Sequence, residues 1–220
     1  ASCHRPWRTV TDEPTLPAGL LCMSHPLLAA DSASAVPIRL VTPETWSAQA
    51  QTLPPEARAF AAAQGFEPKP GRHCLLPDRE GRLAGVLFGL DDAGAKRADP
   101  FLVGKLPTLL PEGTYRFASP PPDPMLATLA WLLGSYAFAR YRARPEKPVR
   151  LAPPDGVDAD ELARIAEAVA LGRDLVNTPA NDLGPDDLET AARRLAETHG
   201  AAVEAVVGDD LLARNFPMIH

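Results

Sequence analysis

Between Asp158 and Val176 the apolar residues Leu162, Ile165, Ala166, Val169, Ala170 and Val176 recur at helical spacing, with Glu161, Arg164, Glu167 and Arg173 on the other faces. The pattern predicts one amphipathic helix. Asp158 is placed to cap it, and Asp160 and Glu161 sit near its positive end. Thr178 precedes Pro179, and a residue before proline is pushed out of the α region, so the helix should finish near Asn177. Asn181 and Asp182 can bond to their own backbone in a turn. Pro185, with Asp186 and Asp187 behind it, opens a further helix that carries Leu188, Ala191, Ala192 and Leu195 on one face and ends at Gly200. Ala202 to Val207 reads as a strand.

Upstream the pattern alternates between the two periods. Val36 to Val41 is a strand candidate, Pro43 to Gln51 and Pro54 to Gln64 are helices, and Gly65 closes the second. Arg72 to Pro77 and Leu83 to Leu90 read as strands joined by Asp78-Arg79-Glu80-Gly81 as a hairpin. Pro100 to Leu106 is a short helix, Thr114 to Ala118 a strand, Pro124 to Tyr141 a long helix and Val149 to Ala152 another strand. The stretch from Met125 to Ala139 is too short for a membrane span and should be a buried helix. Interleaved strands and helices predict an α/β layer domain with a mixed sheet. Its boundary should fall within residues 153–160, where Pro153-Pro154-Asp155-Gly156 punctuates the chain.

The segment Gly-Arg-Asp-Leu-Val-Asn-Thr-Pro-Ala-Asn-Asp-Leu-Gly-Pro, Gly172 to Pro185, resembles the connector between the two domains of the leucyl aminopeptidase (cytosol aminopeptidase) family. Two further pieces are similar to that family. Leu133-Gly134-Ser135-Tyr136-Ala137-Phe138 with Arg140-Tyr141 looks like the last long helix of its first domain, and Asp209-Asp210-Leu211-Leu212-Ala213-Arg214 looks like the entry into its second. The likeness runs over residues 36–220 and is strongest from 126 onward.

The resemblance implies a cytoplasmic, homohexameric exopeptidase that uses two divalent metal ions, Mn or Zn, to release amino-terminal residues, often leucine, from peptides. Its ligands and catalytic Lys and Arg belong to an Asp-Thr-Gly-Gly element and an Asn-Thr-Asp-Ala-Glu-Gly-Arg element, and neither occurs in these 220 residues. No catalytic or metal-binding residue is therefore carried over, and no metal is expected on this chain. The connector residues singled out are Arg173, Asp174, Asn177, Pro179, Asn181 and Pro185. The expected layout is a disordered extension over 1–35, an amino-terminal α/β domain over 36–155, a linker helix and turn over 156–182, and an incomplete start of an α/β metallopeptidase domain over 183–220. A proline bracketed by Asn177 and Asn181 fixes the angle between two rigid bodies, or lines the rim of a neighbouring active site. On this reading the chain is a non-catalytic part with a structural and oligomerisation role; the alternative is a stand-alone α/β module that binds DNA or a small ligand.

Composition narrows the choice. A hydrophobic fraction of 45% supports a packed core, and a net charge of −6 gives no broad attraction for phosphate backbones or anionic lipid. With few aromatics and no aromatic-basic interleaving, this speaks against nucleic acid. Arg140, Arg142, Arg144, Lys147 and Arg150 cluster, as a solvated helix end would. Cys3, Cys22 and Cys74 are odd in number and lack paired metal spacing, which suits a reducing cytoplasm. Residues 1–35 hold Pro6, Pro14, Pro17 and Pro26 without a sustained period, and the run before Cys22 is a poor leader core. With Met23 the first methionine, residues 1–22 are expected to lie upstream of a natural start.

Several residues invite a chemical role and have plainer explanations. His73 and Cys74 are strand neighbours and should point to opposite faces. Asp91-Asp92 and Asp209-Asp210 fit a strand-ending turn and a helix start, and Asp99 before Pro100 fits a helix entry. Gly85, Gly89 and Gly94 lack the spacing of a phosphate-cradling loop. Ser135 lacks the strand-turn-helix setting of an exposed nucleophile.

Overall fold

A computed structural model of the chain describes residues 25–29, 32–92, 94–96, 98–142 and 148–219. Strand β1 (Val36–Val41) lies in the middle of a five-stranded sheet of order β2-β3-β1-β4-β5. β3 (Leu83–Gly89) and β4 (Gly113–Phe117) pair parallel with its two sides, and β5 (Val149–Leu151) pairs parallel with β4. Strand β2 (His73–Pro77) is antiparallel to β3, so the sheet is mixed, as expected. The hairpin between them closes where Asp78 Oδ1 accepts the backbone N–H groups of Glu80 at 2.8 Å and Arg82 at 2.9 Å. Within the expected extension, Leu28 is buried and bridges to Leu151 beside β5. Cys3, Cys22 and Met23 lie outside the described residues.

Alternation along the strands divides the core between two faces. On one face Ile38, Val86, Phe88, Tyr115, Phe117, Val149 and Leu151 are buried. They pack under a 3-10 turn (Leu102–Lys105) and the helices α3 (Leu106–Leu109), α4 (Pro124–Gly134) and α5 (Ala159–Asn177). On the other face Val41, Cys74, Leu76 and Leu87 meet Leu53, Ala57, Ala61 and Phe66 from helices α1 (Pro43–Gln51) and α2 (Pro55–Ala63) and the loops that follow them. The expected short helix from Pro100 is resolved into the 3-10 turn and α3.

Helix α4 is apolar on nearly every side, so it is buried, and Asp123 caps it by accepting the Leu126 N–H at 2.9 Å. It ends at Gly134, not at Tyr141 as the sequence predicts. Ser135 Oγ donates to the Trp131 carbonyl at 2.8 Å, and Tyr136 and Tyr141 are drawn sideways to partners on the linker. Side-chain bonds to another element thus outweigh the helical propensity of residues 136–141. Gly134 is needed where it stands, because a Cβ there would lie 1.8 Å from the Gly104 carbonyl oxygen.

Asp158 caps α5 by accepting the Glu161 N–H at 2.9 Å. The helix buries Leu162, Ala163 and Ala166, while Ile165 and Val176, expected on the apolar face, are exposed. Helix α6 (Pro185–Thr198) buries only Ala196 and leaves Leu188 and Leu195 exposed. Residues 202–207 are not a strand. A strand is a pairing, and no other strand lies beside this run among the described residues. The short helix α7 (Asp210–Ala213) follows, where the Asp209-Asp210 pair predicts a start.

Candidate functional site

The connector grips the end of α4 through side chains that the sequence keeps about forty residues away. Arg173, near the end of α5, donates from Nη1 to the Leu133 carbonyl at 2.8 Å. That carbonyl belongs to the last turn of α4, where no intrahelical donor is available and where a cation meets the negative end of the helix. The same guanidinium lies over the Tyr136 ring, 5.3 Å from its centroid. Tyr136 donates its hydroxyl proton to Asp174 Oδ1 at 2.7 Å and accepts from Asn177 Nδ2 at 3.1 Å. Three side chains from one face of the helix end therefore converge on one tyrosine.

A second tie lies just beyond. Tyr141 donates to the Asp182 carboxylate, and Arg140 reaches the Asp182 carbonyl at 3.4 Å. Partial burial, then the bond to Asp174, raises the Tyr136 phenol above its ordinary value; for Tyr141 the bond to Asp182 is the leading cause. Helix α5 stops where Thr178 folds back, its N–H and Oγ1 donating to the Asp174 carbonyl at 3.0 and 2.7 Å. A turn follows in which the Asp182 N–H meets the Pro179 carbonyl at 2.9 Å, and the Gly184 N–H donates to Asp187 Oδ2 as Pro185 starts α6.

Of the six connector residues, Arg173, Asp174 and Asn177 are brought together on Tyr136. Pro179 and Asn181 lie in the exposed turn, and Pro185 at the helix start, outside that cluster. Sequence reasoning missed the roles of Tyr136, Tyr141 and Asp182. Phenols in a polar-edged segment were the available signal, but only the fold supplies their partners.

The remaining candidates resolve into structural duties. Cys74 is buried while His73, its neighbour, is half-buried in the strand. Asp92 accepts the Glu44 N–H at 3.2 Å at the start of α1, and Asp99 accepts the Phe101 N–H at 2.9 Å. Gly89 permits close approach of the Lys69 backbone, whose carbonyl oxygen would lie 2.1 Å from a Cβ. The basic cluster is not a helix end: Arg140 and Arg142 lie beyond α4, Arg150 is in β5 with Nε donating to the Pro26 carbonyl at 3.1 Å, and Arg144 and Lys147 lie outside the described residues. Among the described residues no three His, Cys, Asp or Glu side chains converge so as to hold a metal ion, so the pair of cations implied by the resemblance finds no donor set there. No helix among them is long and apolar enough to cross a membrane.

Residues 36–154 match the family model described as M17 aminopeptidase, N-terminal domain, and the chain belongs to the M17 aminopeptidase family. A protein named probable cytosol aminopeptidase from Nitratidesulfovibrio vulgaris is 42% identical over 96 residues, covering 36% of this chain and 18% of that protein. The crystal structure of cytosol aminopeptidase from Coxiella burnetii aligns with a TM-score of 0.75 at 28% identity, covering 83% of this chain and 40% of that one. The bottromycin maturation enzyme BotP, solved in complex with Mn, aligns with a TM-score of 0.58 at 26% identity, over 76% of this chain and 37% of its own. The chain thus spans less than half the length of these solved relatives.

Proposed function

We propose that this chain is the amino-terminal, non-catalytic portion of a dimetal aminopeptidase that releases amino-terminal residues from peptides, and that its task is to hold and orient the catalytic domain. The observation that carries the reading is the cluster of Arg173, Asp174 and Asn177 on Leu133 and Tyr136, which makes α5 a rigid extension of the sheet domain. Beyond it, Leu188 and Leu195 on α6 and Leu212, Phe216, Met218 and Ile219 near the end are exposed, an apolar surface suited to burial against further structure. Substrate peptides, two Mn or Zn ions, a hexameric assembly and a cytoplasmic setting are proposed for the whole enzyme. Its metal ligands are proposed to belong to that catalytic domain. The chemistry such ions supply is Lewis-acid activation, which requires them to be held with an open position.

Replacing the matching segment of the Coxiella burnetii enzyme by residues 36–182 tests the proposal. The chimera is expected to keep metal-dependent hydrolysis of leucine amides, and the 220-residue chain alone to show none with added manganese or zinc. Metal-dependent turnover by the purified chain would refute the assignment, as would a folded chimera without activity.

A further inference from the structure

A groove of about 460 Å3 opens on the sheet face covered by α1 and α2, at the amino-terminal end of β1. Its floor is apolar, with Leu53, Ala57 and Leu76 buried. The space has identifiable causes. Register between β2 and β3 shifts after Leu76, which pairs with Gly85, so that Pro77 pairs with Leu83 and Ala84 is left unopposed in a bulge. Beside it, Gly85 is required neither by contact nor by backbone. A Cβ there would come no closer than 3.7 Å to Leu76 or the Pro37 carbonyl, and its φ is not left-handed. A glycine inside a strand weakens it, and this one leaves the groove open.

The charges on the rim are unevenly matched. Glu56 pairs with Arg79 at 3.3 Å, and Asp78 and Glu80 both pair with Arg82, at 2.9 and 2.7 Å. Arg39, the third arginine of the groove, contacts no carboxylate among the described residues. Its Nη1 reaches only Thr52 Oγ1, at 3.5 Å, and that hydroxyl is oriented by its own donation to the Gln49 carbonyl at 2.8 Å. Most donors of the guanidinium fork therefore lack a protein acceptor among the described residues. Arg116 lies opposite Pro37 on the neighbouring strand and adds positive charge on the same face.

We propose that this groove binds a small organic carboxylate with a compact apolar body, the carboxylate forked on Arg39 and the body resting on Leu53, Ala57 and Leu76. The volume falls within that of small-molecule sites, which are mostly apolar with a few placed polar groups. A planar guanidinium is the side chain whose donor spacing matches a carboxylate.

The test is an NMR titration of the isotope-labelled 220-residue chain with 4-methylpentanoate, its neutral isostere 4-methylpentanamide, and inorganic phosphate. The carboxylate is expected to give saturable shifts confined to β1, β2, β3 and residues 53–57, with the amide at least about tenfold weaker, because a charge-assisted pair is lost. Arg39→Met should weaken carboxylate binding about tenfold or more and Arg39→Lys less, since lysine cannot fork. Gly85→Val should abolish it by filling the floor while leaving Arg39 in place. Absence of saturation through about 10 mM in the unaltered chain, equal binding of the amide, or phosphate binding as tight as the carboxylate would each overturn the proposal. The titration reads binding on this chain alone, so its failure is separate from any failure of the peptidase assignment.

Discussion

Gly134→Ala separates helix propensity from packing. On an exposed helix the change gains about 1 kcal/mol, because alanine loses less backbone freedom on folding. Here the added Cβ would lie 1.8, 2.6 and 2.8 Å from the Gly104 O, C and Cα atoms, all of them backbone that cannot rotate aside. The crossing is close from the other side as well, since a Cβ on Gly104 would sit 2.5 Å from the Ala130 oxygen. Relief requires α4 and the 3-10 turn to part by well over an ångström, which loosens Leu102, Val103 and Leu106, all buried against α4. Overpacking of this kind costs about 3 kcal/mol at the upper end of its range. Less the propensity gain, about 2 kcal/mol of net destabilisation remains, a Tm lower by about 4–8 °C for a chain of this size. Gly172→Ala is the control. It lies in exposed α5 with nothing within 4 Å of its Cβ, and is expected to raise stability by about 0.5–1 kcal/mol. Thermal and urea unfolding followed by circular dichroism measures both. A Gly134→Ala chain as stable as the parent, or a Gly172→Ala chain that loses more, would refute the close-crossing argument.

Further expectations concern the connector, the caps and two titrating groups. Tyr136→Phe removes a hydroxyl shared by Asp174 and Asn177 and should cost about 0.5–1.5 kcal/mol; hydrogen exchange should quicken over 174–182, and unchanged protection there would show that the cluster does not hold the linker. Asp158→Ala removes the α5 cap and should lower stability by about 1 kcal/mol in urea unfolding, whereas Asp158→Asn should lose far less. Burial pushes the Cys74 thiol above its ordinary value despite the opposing charge of Arg72, so alkylation of Cys74 at pH 8, read by peptide mapping, should run at least about tenfold slower in the folded chain than in the denatured one. The backbone N–H of Arg82 is the leading cause that holds the Asp78 carboxyl below its ordinary 3.8. Its contribution to stability is present above that value and disappears as the pH falls through the lower folded one. The Tm gap between the parent and Asp78→Asn should accordingly be constant near neutrality and close in acid; a gap independent of pH would contradict the hairpin role.

The connector fixes one relationship within the chain, that of α5 to α4. Two tyrosines, Tyr136 and Tyr141, meet two aspartates, Asp174 and Asp182, on successive parts of the linker. Bonds of this kind at a partly exposed junction contribute modest energy each, yet together they remove the freedom of the helix to swing on its proline turn. Orientation is the property such a junction supplies.

Local chemistry was legible from residues alone wherever a few neighbours decide the outcome. Asp158 as a cap, Thr178-Pro179 as a helix stop, Gly200 as a left-handed end and the Asp78 hairpin all follow from backbone sterics and short-range hydrogen bonds, and period-2 and period-3.6 spacing marked the α/β layers. Three features were decided only by the tertiary structure. Helix α4 ends at Gly134 because partners about forty residues away claim Tyr136 and Tyr141; among the described residues, 202–207 remain unpaired because a strand needs a neighbour that spacing cannot supply, and Arg39 is left without a carboxylate because the hairpin arginines, Arg79 and Arg82, take those on the rim. In each case the deciding contact joins residues distant in sequence, and only chain folding sets that distance.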